Sequence, residues 1–218
     1  MKVVALISGG KDSCYSMLKC VEQNHEIVAL ANLYPTSGKE EDSYMFQTVG
    51  HEFIQLYAEA MDLPLFRREI SGKPLNCQSD YLKRVDGDEV EDLFELLNDI
   101  KKQIDFQAIS VGAIFSDYQR VRAENICQRL NVQMLAPLWH RDQVELLNDM
   151  INDGINAIII KVAVLGLEPN KHLGKSIKEM YDVLVKLKDQ FGINVCGEGG
   201  EYETMTLDCP LFKNKIVM

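Results

Sequence analysis

Six consecutive residues near the amino terminus, Ser8–Ser13, have the composition of an anion-binding loop: Ser-Gly-Gly-Lys-Asp-Ser. Glycines let the backbone turn sharply and direct successive N–H groups to one point. A helix that begins at such a loop adds its positive amino-terminal end. Lys11 adds a full charge, and the hydroxyls of Ser8 and Ser13 can donate to phosphate oxygens. Asp12 would repel bare phosphate, so its place in the loop indicates Mg²⁺ or the waters of that ion.

Two commoner glycine motifs are excluded by spacing. A Walker loop needs glycine five residues before its Gly-Lys pair and serine or threonine after it, but these positions hold Ala5 and Asp12. The dinucleotide-binding fingerprint needs a third glycine, which does not follow Gly9 and Gly10 at the required offset. The alternative without function is an ordinary glycine-rich turn, and the complete hexapeptide directly after a strand makes that interpretation the weaker one.

The elements that must position this loop follow a simple alternation. Val3–Ile7 reads as a buried strand, a helix begins at about Asp12, and Ile27–Tyr34 reads as a second strand. Apolar runs and segments of helical period then alternate to the end, which favours a parallel α/β sheet. Further strands are predicted at 64–70, 108–114, 134–138 and 155–164, helices at 46–61, 88–104, 142–151 and 175–191 and one that begins at 116, irregular loops at 35–43 and 71–87, and a β-rich end at 194–218.

Two details refine this outline. The predicted helix near Asp88–Ile104 carries an apolar stripe and an acidic first turn, whose charges we interpret as a solvated face without function. Ser116 and Gln119 have the spacing of a capping box at the start of the next helix. We expect a nucleotide-binding lobe over residues 1–130 and a substrate-binding lobe over residues 131–218, or a single compact domain.

Composition excludes several classes of protein. The net charge of −10 argues against a general nucleic-acid binder, which needs a basic face. The sequence has no apolar run long enough to cross a bilayer and no signal-peptide pattern, so we expect no membrane partner and a cytoplasmic protein. The six cysteines form no C-x-x-C pair and no zinc-site spacing, so we expect free thiols.

The hexapeptide resembles the signature loop of the ATP-pyrophosphatase group of ligases. The resemblance implies a doubly wound parallel sheet of the adenine-nucleotide α-hydrolase (HUP) type, here with a smaller carboxy-terminal α/β lobe. It also implies ATP and Mg²⁺, with adenine against the ends of the first two strands at Leu6–Ile7 and at Ala31, Asn32 and Leu33. Such enzymes activate a carboxylate by transferring AMP to it, which releases pyrophosphate as a leaving group stabilised by cations.

Four further segments are similar to the diphthine–ammonia ligase family: Gln47–His51, Val111–Arg122, Ile159–Ala163 and Cys196–Thr204. The family implies a reaction of ATP, ammonia and diphthine on translation elongation factor 2, giving diphthamide, AMP and pyrophosphate. Some eukaryotic members of the family carry a carboxy-terminal extension, which we do not expect here.

By this resemblance, three groups of residues form the expected site. The catalytic residues are Lys11, Asp12, Glu198 and Glu201. Nucleotide binding adds Ser8, Gly9, Gly10, Ser13, Ala31, Asn32, Leu33, Gly112, Arg120, Arg122 and Lys161. Substrate binding is assigned to His51, Gly199, Gly200, Glu201, Tyr202, Glu203 and Thr204.

The chemistry of these residues also supports other interpretations. Arg120 and Arg122 lie in early turns of a helix, where they hold phosphates or are simply exposed arginines. Lys161 interrupts an apolar strand, and an unpaired buried lysine is costly, which favours a position facing the cleft. The glutamates near Tyr202 form either an acidic turn or a site for the trimethylammonium group of diphthine, with Tyr202 or Trp139 as its aromatic face and one glutamate as base.

Two other functions remain open from sequence. One is another ligase of the same group that acts on a small molecule or a modified nucleoside. The other is a non-catalytic sensor of adenine nucleotides, because a fold alone does not fix a function.

Overall fold

A five-stranded parallel sheet forms the larger part of the protein, in a computed structural model that describes residues 1–35, 43, 45–47 and 49–217. Its strands are β1 (Lys2–Leu6), β2 (Glu26–Pro35), β3 (Leu65–Ile70), β4 (Ala108–Ser110) and β5 (Gln133–Leu135). They lie in the order β3-β2-β1-β4-β5, and every neighbouring pair is parallel. The chain therefore winds outwards in both directions from β1, which confirms the doubly wound α/β fold.

Helices connect these strands and continue beyond them. They are α1 (Lys11–Glu22), α2 (Ile54–Met61), α3 (Glu89–Lys101), α4 (Asp117–Leu130), α5 (Gln143–Asn152), α6 (Pro169–His172) and α7 (Ile177–Phe191). Two further strands, β6 (Asn156–Val162) and β7 (Tyr202–Asp208), pair antiparallel in a separate sheet. This smaller carboxy-terminal part packs α5 and α7 with the β6–β7 sheet around one apolar cluster.

The central strand is apolar because both of its faces are covered. Val3, Val4 and Ala5 of β1 are completely buried, as is usual for a parallel sheet between two helical layers. Tyr15 and Leu18 of α1 belong to the same apolar cluster as the carboxy-terminal elements. Helix α1 therefore packs on the parallel sheet on one side and on the carboxy-terminal part on the other.

The predicted helix at 46–61 is wrong in its first half. Helix α2 begins only at Ile54, after a single 3₁₀ turn at His51–Phe53. Gly50 has φ +77°, a left-handed conformation that does not continue an α-helix. The predicted β-rich end reduces to the strand β7, and β4 ends at Ser110. The polar loop predicted at 35–43 lies, except for Pro35 and Ser43, outside the described residues.

The acidic first turn of α3 is a correction to the interpretation as a solvated face. Asp88, Glu89, Glu91 and Asp92 are all buried. Asp88 Oδ2 accepts hydrogen bonds from the backbone N–H groups of Leu75 and Asn76, at 3.2 and 2.9 Å. Asp92 likewise accepts from residues 71 and 72, at 2.8 Å each. Asp88 and Asp92 are buried because their carboxylates accept hydrogen bonds from the backbone of the loop that precedes the helix.

The structure also bears on three predictions, which concern the cap of α4, the cysteines and membrane-spanning segments. Ser116 caps α4, since its Oγ accepts a hydrogen bond from the Gln119 N–H at 3.3 Å. All six cysteines are free thiols, and Cys77 alone is exposed. Within the described ranges, no helix combines the length and the apolar character needed to span a bilayer.

Candidate functional site

A cleft of about 560 Å³ lies at the carboxyl ends of β1, β2 and β4. The strand order reverses between β1 and β4, and open α/β sheets bind their ligands at such a point. The cleft brings together a large part of the residues predicted from the sequence. They are Ser8, Asp12, Ser13, Ala31, Asn32, Leu33, Gly112, Glu198, Gly199, Gly200 and Glu203.

The loop after β1 depends on its glycines. Gly9 has φ +84°, and a Cβ atom there would lie 3.2 Å from the ring of Tyr57. The carbonyl oxygen of Gly9 accepts hydrogen bonds from the Tyr57 hydroxyl at 2.7 Å and from the Thr206 N–H at 2.9 Å. Helix α1 then begins with Gly10 as its N-cap, which has no side chain to cap the first turn. The amino-terminal end of α1 is thus positioned to attract an anion.

A second glycine explains how the loop after β4 joins the cleft. A Cβ atom on Gly112 would lie 3.1 Å from the Asp12 carbonyl carbon and 3.1 Å from the Ser13 nitrogen. Real Cβ atoms rarely come so close to backbone atoms, so only glycine lets this loop approach the start of α1. Gly112 therefore shapes the cleft through its lack of a side chain.

The side chain of Lys11 points into the protein and does not line the cleft. Lys11 is only 2% exposed, and its Nζ donates to Asp12 Oδ2 at 3.0 Å and to the carbonyl oxygen of Cys196. It also lies over the Tyr202 ring, 5.1 Å from the centroid. Burial acts to lower the pKa of Lys11, but Asp12 and its other neighbours offset this effect, and the pKa is raised overall. The ammonium group is thus engaged by groups of the protein itself.

Asp12 is the loop residue best placed for a cation. Its Oδ2 is held by Lys11, whereas its Oδ1 is buried and has no hydrogen-bond partner among the described residues. The described residues contain no group of three His, Cys, Asp or Glu side chains that could hold a metal by themselves. Mg²⁺ commonly uses one or two carboxylates together with substrate phosphates, so a single orphaned carboxylate oxygen in the cleft fits that ion.

The three glutamates of the Glu198–Glu203 segment have different environments. Glu198 lines the cleft, but its carboxylate already accepts hydrogen bonds from the N–H groups of Ile114 and Phe115, at 2.7 Å each, and from Ser116 at 3.2 Å. Glu201 Oε1 accepts from the N–H of residue 194 at 2.8 Å, and this side chain does not line the cleft. Glu203 does line it. The structure thus separates residues that the sequence presents as one acidic cluster.

Tyr202 and Thr204 lie behind the cleft wall. Tyr202 is buried and its hydroxyl donates to the Val195 carbonyl oxygen at 2.6 Å, so its ring is covered by protein. Thr204 Oγ1 accepts a hydrogen bond from the Lys11 N–H at 3.1 Å. Both residues support the loop and the segment that face each other across the cleft.

Arg120 and Arg122, predicted to bind phosphates, lie outside the cleft lining. Arg120 pairs with Asp117 and Glu124 on its own helix, at 3.1 and 2.5 Å. Arg122 is completely buried and donates to the carbonyl oxygens of Tyr118, Asn76 and Gln78. Its guanidinium carbon is 3.3 Å from the centroid of the Tyr118 ring. An arginine can be buried here because carbonyl oxygens and an aromatic face replace its hydration.

Lys161 and His51 also lie outside the lining. Lys161 is on β6, opposite Glu203 on β7. The His51 ring stacks on Tyr34 with 6.3 Å between centroids. Neither placement supports a direct contact with a ligand in the cleft.

Several lining residues were not predicted individually. They are Ser43, Met45, Phe46, Gln47, Leu93, Val111, Ala113, Ser116, Tyr118, Gln119 and Gly197, whereas Leu6 and Ile7, which also line the cleft, were expected beside adenine. Gln47 and the residues of 111–119 fall in segments that resemble the ligase family, and that resemblance was the available signal. Leu93 belongs to the apolar stripe of α3, which gives no sign that one of its members reaches a cleft.

Two protein-family models match the chain. The diphthamide synthase N-terminal domain matches residues 1–134, and the diphthamide synthase C-terminal domain matches residues 142–218. The chain belongs to the diphthamide synthase family.

Characterised relatives agree with this membership. The chain is 60% identical to diphthine–ammonia ligase of Rattus norvegicus and 59% identical to that of Homo sapiens, over 100% of this chain and 83% of each relative. It is 54% identical to diphthine–ammonia ligase of Schizosaccharomyces pombe, over 100% of this chain and 36% of that longer protein.

Two solved structures show more distant similarity. One is a predicted subunit of tRNA methyltransferase from Methanocaldococcus jannaschii, with 14% identity and a TM-score of 0.41 over 99% of this chain and 100% of that one. The other is the U34-tRNA thiolase NcsA from Methanococcus maripaludis, with 17% identity and a TM-score of 0.38 over 91% of this chain and 70% of that one.

Proposed function

We propose that this chain catalyses the ATP-dependent amidation of diphthine by ammonia. Two observations support this activity: the chain belongs to the diphthamide synthase family, and over its whole length it is about 60% identical to diphthine–ammonia ligases. One structural observation carries the mechanism: the loop of Ser8 and Asp12 and the segment of Glu198 and Glu203 line one cleft. A nucleotide on the loop would therefore face a substrate held by the carboxy-terminal part.

The loop and the strand ends are the proposed ATP site. The amino-terminal end of α1 and the hydroxyls of Ser8 and Ser13 would hold the phosphates, and Ala31–Leu33 would pack against adenine. Asn32 has a structural task as well, since its Nδ2 donates to the Ile7 carbonyl oxygen at 2.9 Å and its Oδ1 accepts from Arg67 at 2.9 Å. These bonds fix the ends of β1 and β2 and so keep the site rigid. We assign this part to a nucleotide lobe, residues 1–130, and the facing segment to a substrate lobe, residues 131–218.

Asp12 is the proposed Mg²⁺ ligand, through its orphaned Oδ1. When bound, the ion would neutralise charge on the phosphates and help pyrophosphate leave. Lys11 supports this task from behind, because its buried ammonium group fixes the other carboxylate oxygen. The role of Lys11 is therefore to orient Asp12 and to hold the Cys196 carbonyl oxygen.

The carboxylates of the facing segment suit the substrate. Diphthine carries a trimethylammonium group, and ammonium must lose a proton before it attacks the activated carboxylate. Glu198 and Glu203 both line the cleft and are the candidates for these tasks; three backbone N–H groups also orient the carboxylate of Glu198. We propose translation elongation factor 2 as the protein that carries diphthine.

The decisive experiment combines the protein, Mg-ATP, ammonium and elongation factor 2 bearing diphthine. We expect AMP and pyrophosphate as products, and a modified histidine whose mass changes by the conversion of one carboxylate to an amide. ADP as the product would refute the proposed activation chemistry. ATP binding without turnover would instead favour a nucleotide sensor.

An Asp12→Asn variant tests the metal assignment. It should need a higher Mg²⁺ concentration for half-maximal AMP formation, because a neutral amide is a weaker ligand for this ion. Asp182→Asn is the matched control, since Asp182 is exposed on α7. An unchanged Mg²⁺ dependence in Asp12→Asn would remove Asp12 as the ligand.

A further inference from the structure

Three rings stack beside the cleft. The His140 ring lies 5.3 Å from the Phe115 ring and 4.6 Å from the Trp139 ring between centroids, with interplanar angles of 20° and 23°. The Arg120 guanidinium lies 5.0 Å from the centroid of Trp139. Phe115 is 43% exposed, although a large apolar side chain gains free energy when it is buried. Because His140 stacks on one side of the Phe115 ring, the ring is held in place and its exposed side can contact a ligand.

The stack is maintained at the cost of backbone strain. His140 has φ +58°, a left-handed conformation that residues other than glycine seldom adopt. Its N–H donates to the Ile114 carbonyl oxygen at 2.8 Å, which ties it to the residue before Phe115. Such strain is often found at functional positions.

Phe115 is joined to the cleft wall through the backbone. Its N–H donates to Glu198 Oε2 at 2.7 Å, and Glu198 lines the cleft. The next residue, Ser116, lines it too. The aromatic stack and the carboxylate of Glu198 are therefore neighbours at one side of the cleft.

Two other aromatic rings near this wall, those of Tyr202 and Tyr118, are covered by cationic side chains. The Tyr202 ring is buried beneath the Lys11 ammonium group, and the Tyr118 ring is covered by the Arg122 guanidinium. Trp139 is half-buried between His140 and Arg120. Phe115 lies just outside the lining and offers an exposed aromatic ring next to the acidic wall, whereas Phe46, which lines the cleft, is half-buried.

We propose that Phe115, supported by His140, binds the quaternary ammonium group of the substrate. This inference rests on the proposed function, which supplies a trimethylated cation as part of diphthine. A quaternary ammonium group has no N–H to donate, so protein sites bind it through aromatic faces and nearby carboxylates. The stack supplies the face, and Glu198 and Glu203 supply negative charge in the adjoining wall.

Steady-state kinetics of Phe115 variants test the proposal. Phe115→Leu should raise the KM for the diphthine-bearing protein by roughly 3- to 30-fold, the range expected for loss of a cation–π contact, and leave the KM for ATP unchanged. Phe115→Tyr should restore the wild-type value because it keeps the aromatic face. Phe191→Leu is the matched control, since Phe191 is also exposed but ends α7. An unchanged KM in Phe115→Leu would overturn the proposal.

A binding measurement separates this inference from the proposed function. Trp139 is the only tryptophan of the chain, so its fluorescence reports on the stack without turnover. Tetramethylammonium, compared with sodium at equal ionic strength, should change this fluorescence saturably in the wild type and in Phe115→Tyr. The midpoint should rise by a similar factor in Phe115→Leu. Equal responses to the two cations in the wild type would refute the binding site, whereas absence of amidation alone would refute only the enzyme function.

Discussion

The backbone N–H of Lys11 donates a hydrogen bond to Thr204 Oγ1 at 3.1 Å, and so joins two residues 193 positions apart in the chain. Thr204 lies on β7 and is buried. A second bond, from the Thr206 N–H to the Gly9 carbonyl oxygen at 2.9 Å, links the same strand to the same loop. The loop Ser8–Ser13, at which we propose that ATP binds, is therefore held in place by the carboxy-terminal part of the chain.

Thr204→Val tests this link. Valine has nearly the same shape but leaves the Lys11 N–H without its acceptor, so we expect the free energy of unfolding to fall by about 1–3 kcal/mol. The KM for ATP should rise as well, because the first turn of α1 loses a fixed point. Urea unfolding and AMP formation measure the two effects. Thr204→Ser retains the hydroxyl and should behave like the wild type; equal losses in both variants would attribute the effect to packing.

Replacement of Lys11 should damage both stability and activity. Lys11→Met removes a buried cation that holds Asp12 and the Cys196 carbonyl oxygen. Breaking a buried charge pair costs about 3–5 kcal/mol, and we expect the lower end because Asp12 keeps partial access to solvent. AMP formation by the folded fraction should fall at least about tenfold, as expected when a group that supports charge stabilisation is lost.

Lys178→Met is a suitable control for Lys11→Met, since Lys178 is exposed on α7. The unfolding midpoint and the rate of AMP formation should remain at the wild-type values. Full activity of Lys11→Met would show that Lys11 is not needed to orient Asp12.

Arg122 should matter for stability and not for phosphate binding. Arg122→Met leaves the carbonyl oxygens of Asn76 and Gln78 without their donor, and we expect a loss of about 3 kcal/mol in the free energy of unfolding. The loop at 71–87 should become easier to cleave with protease, while the KM for ATP of the folded protein stays near the wild-type value. Arg120→Gln on the same helix should change neither. A large rise in the KM for ATP with normal stability would restore the phosphate-binding role.

Glu89 predicts a pH dependence of stability. Its burial raises the pKa of the carboxyl group above the ordinary value of 4.5, partly offset by the hydrogen bond from Ser43. The folded protein then binds more protons than the unfolded chain between the ordinary and the raised pKa. The contribution of Glu89 to the free energy of unfolding is fully present below pH 4.5. It falls as the pH rises through the raised pKa and is constant above it.

Glu89→Gln isolates this contribution. The free energy of unfolding of the variant, relative to that of the wild type, should increase between pH 4.5 and pH 8. The difference isolates Glu89 because the other titrating groups are common to both proteins. A flat difference for Glu89→Gln would mean that the carboxyl group titrates normally in the folded state.

The sequence by itself determined the layer architecture and the glycine loop after the first strand, because both depend on local patterns. The apolar run at Val3–Ile7 is followed directly by the hexapeptide Ser8–Ser13. This order is typical of a buried parallel strand that leads into a glycine loop. The resemblance of further segments then indicated the family, which the matches over both halves of the chain confirm.

Only the tertiary structure decided which charged side chains face the cleft. The sequence predicted Arg122 at the phosphates or exposed, and the acidic start of α3 as exposed, yet Arg122, Asp88 and Asp92 are buried with hydrogen bonds to backbone groups of 71–78. Lys11 turns inwards for the same reason, since the Cys196 carbonyl oxygen comes from the other end of the chain. The direction of a charged side chain depends on partners that are remote in sequence, and no local pattern contains them.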